Sequence, residues 1–317
     1  MISTSSLMPT SAKNQNEVIQ TLAMHGKTFY WASFFLTNRQ AHAAAELYAC
    51  CRALDDLADS TTHSSLSKQQ TLQHLKEAIQ SPDMVSDLPL ASAIRALIEE
   101  HAVPPAALLS LLDGMISDTE HVALTNKHEL DRYCFRVAGT VGLMMCPILG
   151  VTDTRALPFA IDLGIAMQLT NICRDVLEDA ELGRRYLPAD VTPVEIRFAS
   201  DSIRIRVQQT VADQLLRAES FYHSGLRGLA YLPRSSRIAI FIAANLYRAI
   251  GRKLRRNNYA WWGGRTVISP LEKVGLILRL LPDLFCILVR PTPRMNFRHA
   301  PQLHANLDGL PHVDHPS

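Results

Sequence analysis

Tyr48, Arg52, Asp55 and Asp59 recur at intervals of four, three and four residues in the segment LYACCRALDDLADS. On a helix that spacing puts all four side chains on one face. Asp56 sits one position round. Asp55 and Asp59 would be successive rungs, about 6 Å apart. Like charges so placed cost a helix roughly a few tenths of a kcal/mol, and acidic groups near a helix C-terminus also oppose its dipole. A hard divalent cation removes the conflict. Mg2+ takes oxygen ligands and is commonly held by one or two carboxylates plus substrate phosphates. A solvated acidic helix end would carry the same residues, so this motif alone leaves both readings open.

A second stripe repeats the pattern. In AIDLGIAMQLTNICRDVLEDAELGRRYLP, residues Gln168, Asn171, Asp175 and Asp179 are spaced by three, four and four, and Gly164 continues the same face with no side chain. Glu178 lies beside Asp179, and the remainder of the segment is largely apolar. Amides on an otherwise apolar helix need a polar partner. The two D-x-x-x-D runs lie about 120 residues apart. If their helices pack side by side, the carboxylates face each other across a gap. Neither stripe counts a cysteine or histidine among its members, which argues against zinc there. Paired carboxylate clusters suit several Mg2+ ions bridging a diphosphate. Arg52, Arg174, Arg184, Arg185 and Arg265 are the cations available to complete a phosphate site.

The elements that must position these residues are helices. Apolar periodicity predicts helices over about 17–25, 39–59, 67–80, 89–101, 105–119, 128–149, 155–180, 201–224, 234–257 and 270–289. Breaks fall at Pro82, Pro104, Pro105, Gly150, Pro188, Pro193, Pro233, Gly263 and Gly264. No strand alternation, solenoid repeat or composition shift interrupts the pattern. The 317 residues are 47% hydrophobic and 20% charged, ordinary for a globular chain, and fourteen glycines are few for many tight turns. A net charge of +2 gives no bulk electrostatic case for nucleic acid. The six cysteines form no C-x-x-C pair and read as reduced thiols of a cytoplasmic protein.

Residues 1–16 read as a disordered start without a signal peptide, residues 17–290 as one helical domain, and residues 291–317 as a flexible, Pro- and His-rich tail. Four histidines in the tail are too irregularly spaced to suggest a metal site. No run of about 20 residues is apolar enough to span a bilayer. The nearest, Val274 to Val289, is interrupted by Arg279, Pro282 and Asp283. It reads as a packed helix in preference to a membrane-surface one. Packing is likewise preferred for Trp261 and Trp262.

The segments HGKTFYWAS (25–33), YACCRALDDLADS (48–60), YCFRVAGTVGLMM (133–145), QLTNICRDVLEDAELGRRYLP (168–188) and YRAIGRKLRRNNYAWWGGRTVIS (247–269) together resemble the squalene and phytoene synthase family, in order and spacing, over roughly residues 17–290. The resemblance is greatest to bacterial phytoene synthases, through RYCFRVAGTVGLMM and the D-D-x-x-D form of the first motif. It implies a single-domain, all-α isoprenoid synthase bundle around a deep central cavity. It also implies an enzyme that needs Mg2+, with Mn2+ as a substitute, and no NADPH.

The residue roles that follow are implied by the same resemblance. Asp55, Asp59, Asn171, Asp175 and Asp179 are expected at the metals. Tyr48, Arg52, Tyr133, Gln168 and Tyr247 are expected at the reacting groups. His25, Thr28, Arg52, Arg174, Arg185 and Arg265 are expected on diphosphate, and Val137, Gly142, Leu143 and Gly164 along the prenyl tails. Cys50 and Ala58 depart from the family's usual larger residues beside the first motif and are expected to alter the cavity.

The expected reaction joins two geranylgeranyl diphosphates through a cyclopropyl (prephytoene) diphosphate to phytoene, in carotenoid biosynthesis, at a membrane surface. The alternative substrate is farnesyl diphosphate, giving squalene, dehydrosqualene or presqualene diphosphate. Two other classes are weighed against this. A terpene cyclase would also use helical aspartates, but D-V-L-E-D followed by G-R-R-Y-L-P argues against it. A non-catalytic relative or lipid carrier would not need both aspartate clusters.

Overall fold

A computed structural model describes residues 15–60, 62, 64–81, 88–120, 122–289 and 297–313. The all-α expectation holds. The helices are α1 (Gln15–His25), α2 (Lys27–Ser33), α3 (Asn38–Asp59), α4 (Ser65–Gln80), α5 (Pro89–His101), α6 (Pro105–Asp118), α7 (Lys127–Cys134), α8 (Thr140–Ile148), α9 (Leu157–Arg174), α10 (Val176–Glu181), α11 (Pro193–Arg197), α12 (Asp201–Arg227), α13 (Arg234–Arg256) and α14 (Pro270–Val289). Among the described residues β-structure is limited to one isolated parallel bridge, Ala123 to Arg185.

The starts of these helices are written in the sequence. Thr37 caps α3 in a reciprocal capping box with Gln40, Ser64 caps α4, Asn126 caps α7 and Ser200 caps α12, each satisfying an otherwise orphaned backbone N–H. Prolines open α5, α6 and α9, where the missing N–H costs nothing.

Helix α9 is the central element. It packs against α8, α12, α13 and the turn between α7 and α8. Contrary to the sequence reading, this helix with the turn before it is long and apolar enough to cross a membrane, but over half of it is buried in the bundle. It is a core helix.

Four local features differ from the sequence reading. The segment expected as one helix over 128–149 carries a π turn, Phe135–Gly139, between α7 and α8. The helix expected over 155–180 breaks at Asp175, whose φ of −102° and ψ of 17° lie in the sparsely populated bridge region. Helices α2 and α11 were not anticipated. Finally, the tail expected to be flexible is packed over residues 297–313. Leu307 and Leu310 are buried in the main core. Asn306 donates to Asp131 at 2.7 Å, and Arg132 donates to the Asp308 carbonyl at 2.9 Å. Its composition cannot make a core alone, but it places spaced leucines against a ready-made one. Residues 1–14, 290–296 and 314–317, on which the disordered start and the rest of the tail were read, lie outside the described residues.

Candidate active site

The helices enclose a cavity of about 350 Å3, within the range of small-molecule sites. One end is polar. Tyr48, Arg52 and Asp55 reach it from α3, Gln168 and Asn171 from α9, and Tyr247 from α13. The rest is apolar, lined by Val137 and Ala138 of the π turn, Val141 and Met145 of α8, and Phe159, Leu163 and Met167 of α9.

Two glycines set the wall. A Cβ on Gly142 would lie 2.2 Å from the Ala160 carbonyl oxygen, and one on Gly164 would lie 2.2 Å from that of Ala138. These are backbone contacts between α9 and the π turn–α8 segment, so any side chain at either position would push the two apart. Both glycines also line the cavity.

The two aspartate motifs meet at the polar end. Arg52 donates to Asp55 at 3.0 Å and pairs with Asp56 at 2.5 Å. Arg174 pairs with Asp175, and Arg265 reaches the same carboxylate at 3.2 Å. Arg184 crosses between motifs to Asp59 at 2.6 Å. The break at Asp175 keeps the helical ladder on both sides. Its N–H donates to the Asn171 carbonyl, and its carbonyl accepts from the Asp179 N–H. The second stripe therefore turns at Asp175 and does not run straight along one helix.

Electrostatics mark these carboxyls as waiting for positive charge. Burial, then the neighbouring Asp59, pushes Asp55 up to about 6. Burial, then Asp175, pushes Asp179 up to about 8. The buried Asn171 Oδ1 and Glu178 Oε2 have no hydrogen-bond partner, which is costly for interior polar atoms. An all-oxygen donor set, with carboxylates that repel one another and an orphaned amide oxygen among them, fits Mg2+.

The remaining sequence-predicted residues are distributed as follows. Tyr48 and Tyr247 flank Phe29, with ring centroids 6.4 and 5.2 Å from it. Burial raises both hydroxyls, that of Tyr48 to about 12. His25 ends α1 and is exposed, and Thr28 is half-buried in the first turn of α2. Between them Gly26 packs on Tyr48. Neither lines the cavity, whereas Phe29 does.

Arg185 donates to the carbonyls of Leu124 and Leu187, at 2.5 and 2.7 Å. Its guanidinium clamps a loop. Tyr133 is buried beyond the cavity wall and donates to Asp118 at 3.0 Å. Leu143 is fully buried in the core and is not among the lining residues. Cys50 and Ala58 are also core residues away from the lining; Cys50 lies on the face of α3 opposite the stripe and Ala58 about a quarter-turn round from it. Trp261 is buried and donates to the Arg204 carbonyl at 3.3 Å, as expected for packing, whereas Trp262 is exposed, with the Arg204 guanidinium 5.8 Å from its ring centroid.

Asp118, at the C-terminus of α6, was not anticipated. Tyr133 and Tyr186 both donate to it, and burial raises its carboxyl to about 7. No stripe in α6 announces it, since its partners come from two distant segments.

The chain matches the family model for squalene/phytoene synthase over residues 22–272. It is 33% identical over 276 residues to a 15-cis-phytoene synthase of Pantoea ananas, covering 83% of this chain and 89% of that one. It is 34% identical over 278 residues to a phytoene synthase of Thermus thermophilus, covering 85% and 93%. Among solved structures it is similar to a dehydrosqualene synthase crystallised with ligand, at 26% identity and a TM-score of 0.71, over 86% of this chain and 97% of that one. With its polar and apolar cavity ends in the corresponding helical frame, the chain belongs to the squalene/phytoene synthase family.

Proposed function

We propose that the protein joins two geranylgeranyl diphosphates head to head, through a cyclopropyl diphosphate, to give phytoene for carotenoid biosynthesis. Two diphosphates and two protons leave overall. The observation that carries this reading is the cavity's division into a polar end and a long apolar remainder. Phe159 and Asn171 line it from one helix and are twelve residues apart, which is about 18 Å along the axis. A C20 prenyl group has a main chain of about sixteen carbons and spans about 19 Å extended at ordinary bond lengths and angles. The C15 main chain spans only about 14 Å.

In this reading the diphosphates lie at the polar end, against Arg52, Arg174 and Arg265, whose guanidinia match phosphate geometry. Asp55, Asp59, Asn171, Asp175 and Asp179 would hold Mg2+, which supplies Lewis-acid neutralisation of the leaving diphosphate when bound. The arginines stabilise the same developing negative charge. Tyr48 and Tyr247, held protonated by burial, donate hydrogen bonds at the polar end. Met167, Leu163 and Phe159 keep water from the allylic cations, which it would quench. The site is reached from a lipid surface in the cytoplasm. Supporting this, α14, which the sequence reads as a packed helix, buries Leu280 and Leu284 but leaves an apolar face of Leu271, Leu278, Leu281 and Phe285 exposed, as a peripheral contact would use.

Purified protein incubated with Mg2+ and either C20 or C15 diphosphate, with and without NADPH, tests the proposal by product mass. A C40 hydrocarbon from the C20 substrate, indifferent to NADPH, is the expected result. A C30 product made from the C15 substrate alone would replace phytoene by the squalene branch.

A further inference from the structure

On the side of α9 away from the cavity, Asp162 is fully buried. A buried carboxylate is costly unless paired, and this one is met by two imidazoles from the C-terminal segment. His299 Nε2 lies 2.8 Å from Oδ2, and His304 Nε2 lies 2.9 Å from Oδ1. The two rings are 4.3 Å apart between centroids and tilted by 45°. His304 is buried and His299 nearly so. Both present the same nitrogen to one carboxylate, and the ligand atoms of all three residues lie within 4.8 Å of one another.

We propose that Asp162, His299 and His304 form a second metal site, specific for Zn2+ or a similar late first-row divalent ion, that fastens the C-terminal segment to α9. Two imidazolium rings this close would repel, and one alone leaves the second ring a neutral donor. A single divalent ion uses the carboxylate and both nitrogen lone pairs together. Two imidazole nitrogens with one carboxylate are ligands that Zn2+ favours and Mg2+ does not. Zinc bonds of about 2.0–2.1 Å in tetrahedral geometry set ligand atoms about 3.3 Å apart, a shift of roughly half an ångström from the two present nitrogen–oxygen contacts. Three protein ligands leave the fourth position to water. The chemistry differs from that at the cavity mouth, where every donor is oxygen.

The site also has a structural neighbour with consequences. His299 sets its ring edge against Phe159 at 5.5 Å between centroids, and Tyr231 stacks on Phe159 at 5.8 Å. Tyr231 in turn donates to the Phe297 carbonyl at 3.1 Å. Phe159 lines the apolar end of the cavity. An ion at Asp162 would therefore fix the residue that buttresses that end.

The test is the zinc content of untagged, full-length protein, exchanged through a weak chelator into millimolar Mg2+, which competes for the all-oxygen site. Wild type is expected to retain about one equivalent of Zn2+, and an Asp55→Asn, Asp175→Asn double variant the same. His299→Ala, His304→Ala and Asp162→Asn are expected to retain less than about a tenth of that. Should those variants fail to fold, Co2+ loaded into wild type decides, through the visible absorption of a four-coordinate site with nitrogen ligands. Absence of both stoichiometric zinc and the cobalt band overturns the proposal and leaves a carboxylate–imidazole clamp. Zinc that survives loss of the histidines but vanishes from the double variant overturns it as well, by placing the ion at the cavity mouth.

Discussion

Arg184 donates to Asp59 at 2.6 Å, joining positions 125 residues apart in the chain. The same guanidinium donates to the Asp118 backbone carbonyl at 3.3 Å. One side chain thereby ties the loop after α10 to the last aspartate of the first motif and to the end of α6. Arg184→Ala should leave Asp59 and Asp118 without this cation and let the two motifs drift apart. The expected outcome is a loss of about 10- to 100-fold in kcat/KM, partly recovered by higher Mg2+. Steady-state kinetics across a Mg2+ series checks it. An Arg184→Ala enzyme with unchanged Mg2+ dependence would remove the bridge from the proposed site.

The carboxylates themselves should matter more. Asp55→Ala and Asp175→Ala are each expected to cut turnover by at least about 10²–10³-fold, the scale for losing a principal electrostatic group at a developing charge. Circular dichroism should remain native, because neither carboxylate belongs to the apolar core and both are only partly buried. Near wild-type turnover in either variant would sink the metal assignment.

Metal-free stability should carry a pH signature from the same cluster. In the folded chain Asp179 titrates at about 8 and Asp55 at about 6, against about 3.9 unfolded. Between these values the native state holds protons that the unfolded state has released, so stability falls as pH rises. The contribution is absent below about pH 4, and the penalty is complete above about pH 8. Metal-free Asp179→Asn should therefore match wild type near pH 4 and melt at a higher temperature near pH 8.5. Mg2+ binding should release protons and tighten as pH climbs toward 8. Melting curves at both pH values, with and without Mg2+, check the sign. A wild type that gains on Asp179→Asn as pH rises contradicts the account.

Much of this arrangement was legible in the residues. The first D-x-x-x-D stripe lies on α3 and the amides of the second on α9, helices that the 3.6-residue period locates, and Asp55, Gln168 and Asn171 do share one cavity. Three kinds of feature were not legible. The turn at Asp175 and the π turn at 135–139 leave the apolar period almost intact, so periodicity cannot report them. Asp118 receives its partners Tyr133 and Tyr186 from separate segments, and sequence spacing carries no such contact. The tail was misread because its composition describes a segment alone. Here Leu307 and Leu310 use an existing core. Arg185 sits beside Arg184 in sequence but faces the other way, into the carbonyls of Leu124 and Leu187.

The close approach of α9 to the π turn and α8 predicts intolerance at two cavity positions. Gly142→Ala or Gly164→Ala would set a Cβ 2.2 Å from a carbonyl oxygen, and backbone cannot yield as a flexible side chain does. Each change should destabilise the protein by about 1–3 kcal/mol or more and shift the wall against which the prenyl groups lie. Chemical denaturation measures the first effect. Full stability in either variant would mean that the two segments separate freely.

Substrate length offers the most direct reading of the cavity. Ala160 lines the apolar stretch one residue from Phe159, and both are reached before the helix start at Leu157. Ala160→Leu adds bulk where the end of a C20 chain would lie, while a C15 chain, about 5 Å shorter, stops near Leu163. The substitution should lower kcat/KM for geranylgeranyl diphosphate about 10- to 100-fold relative to farnesyl diphosphate, the discrimination that a few methylene-sized contacts supply. Phe159→Leu should act oppositely, opening the end that Tyr231 and His299 buttress and admitting longer chains at some cost in stability. The ratio of kcat/KM values for the two substrates, measured in both variants, checks the pair. Equal ratios in wild type, Ala160→Leu and Phe159→Leu would show that the chain ends lie elsewhere and that α9 does not gauge their length.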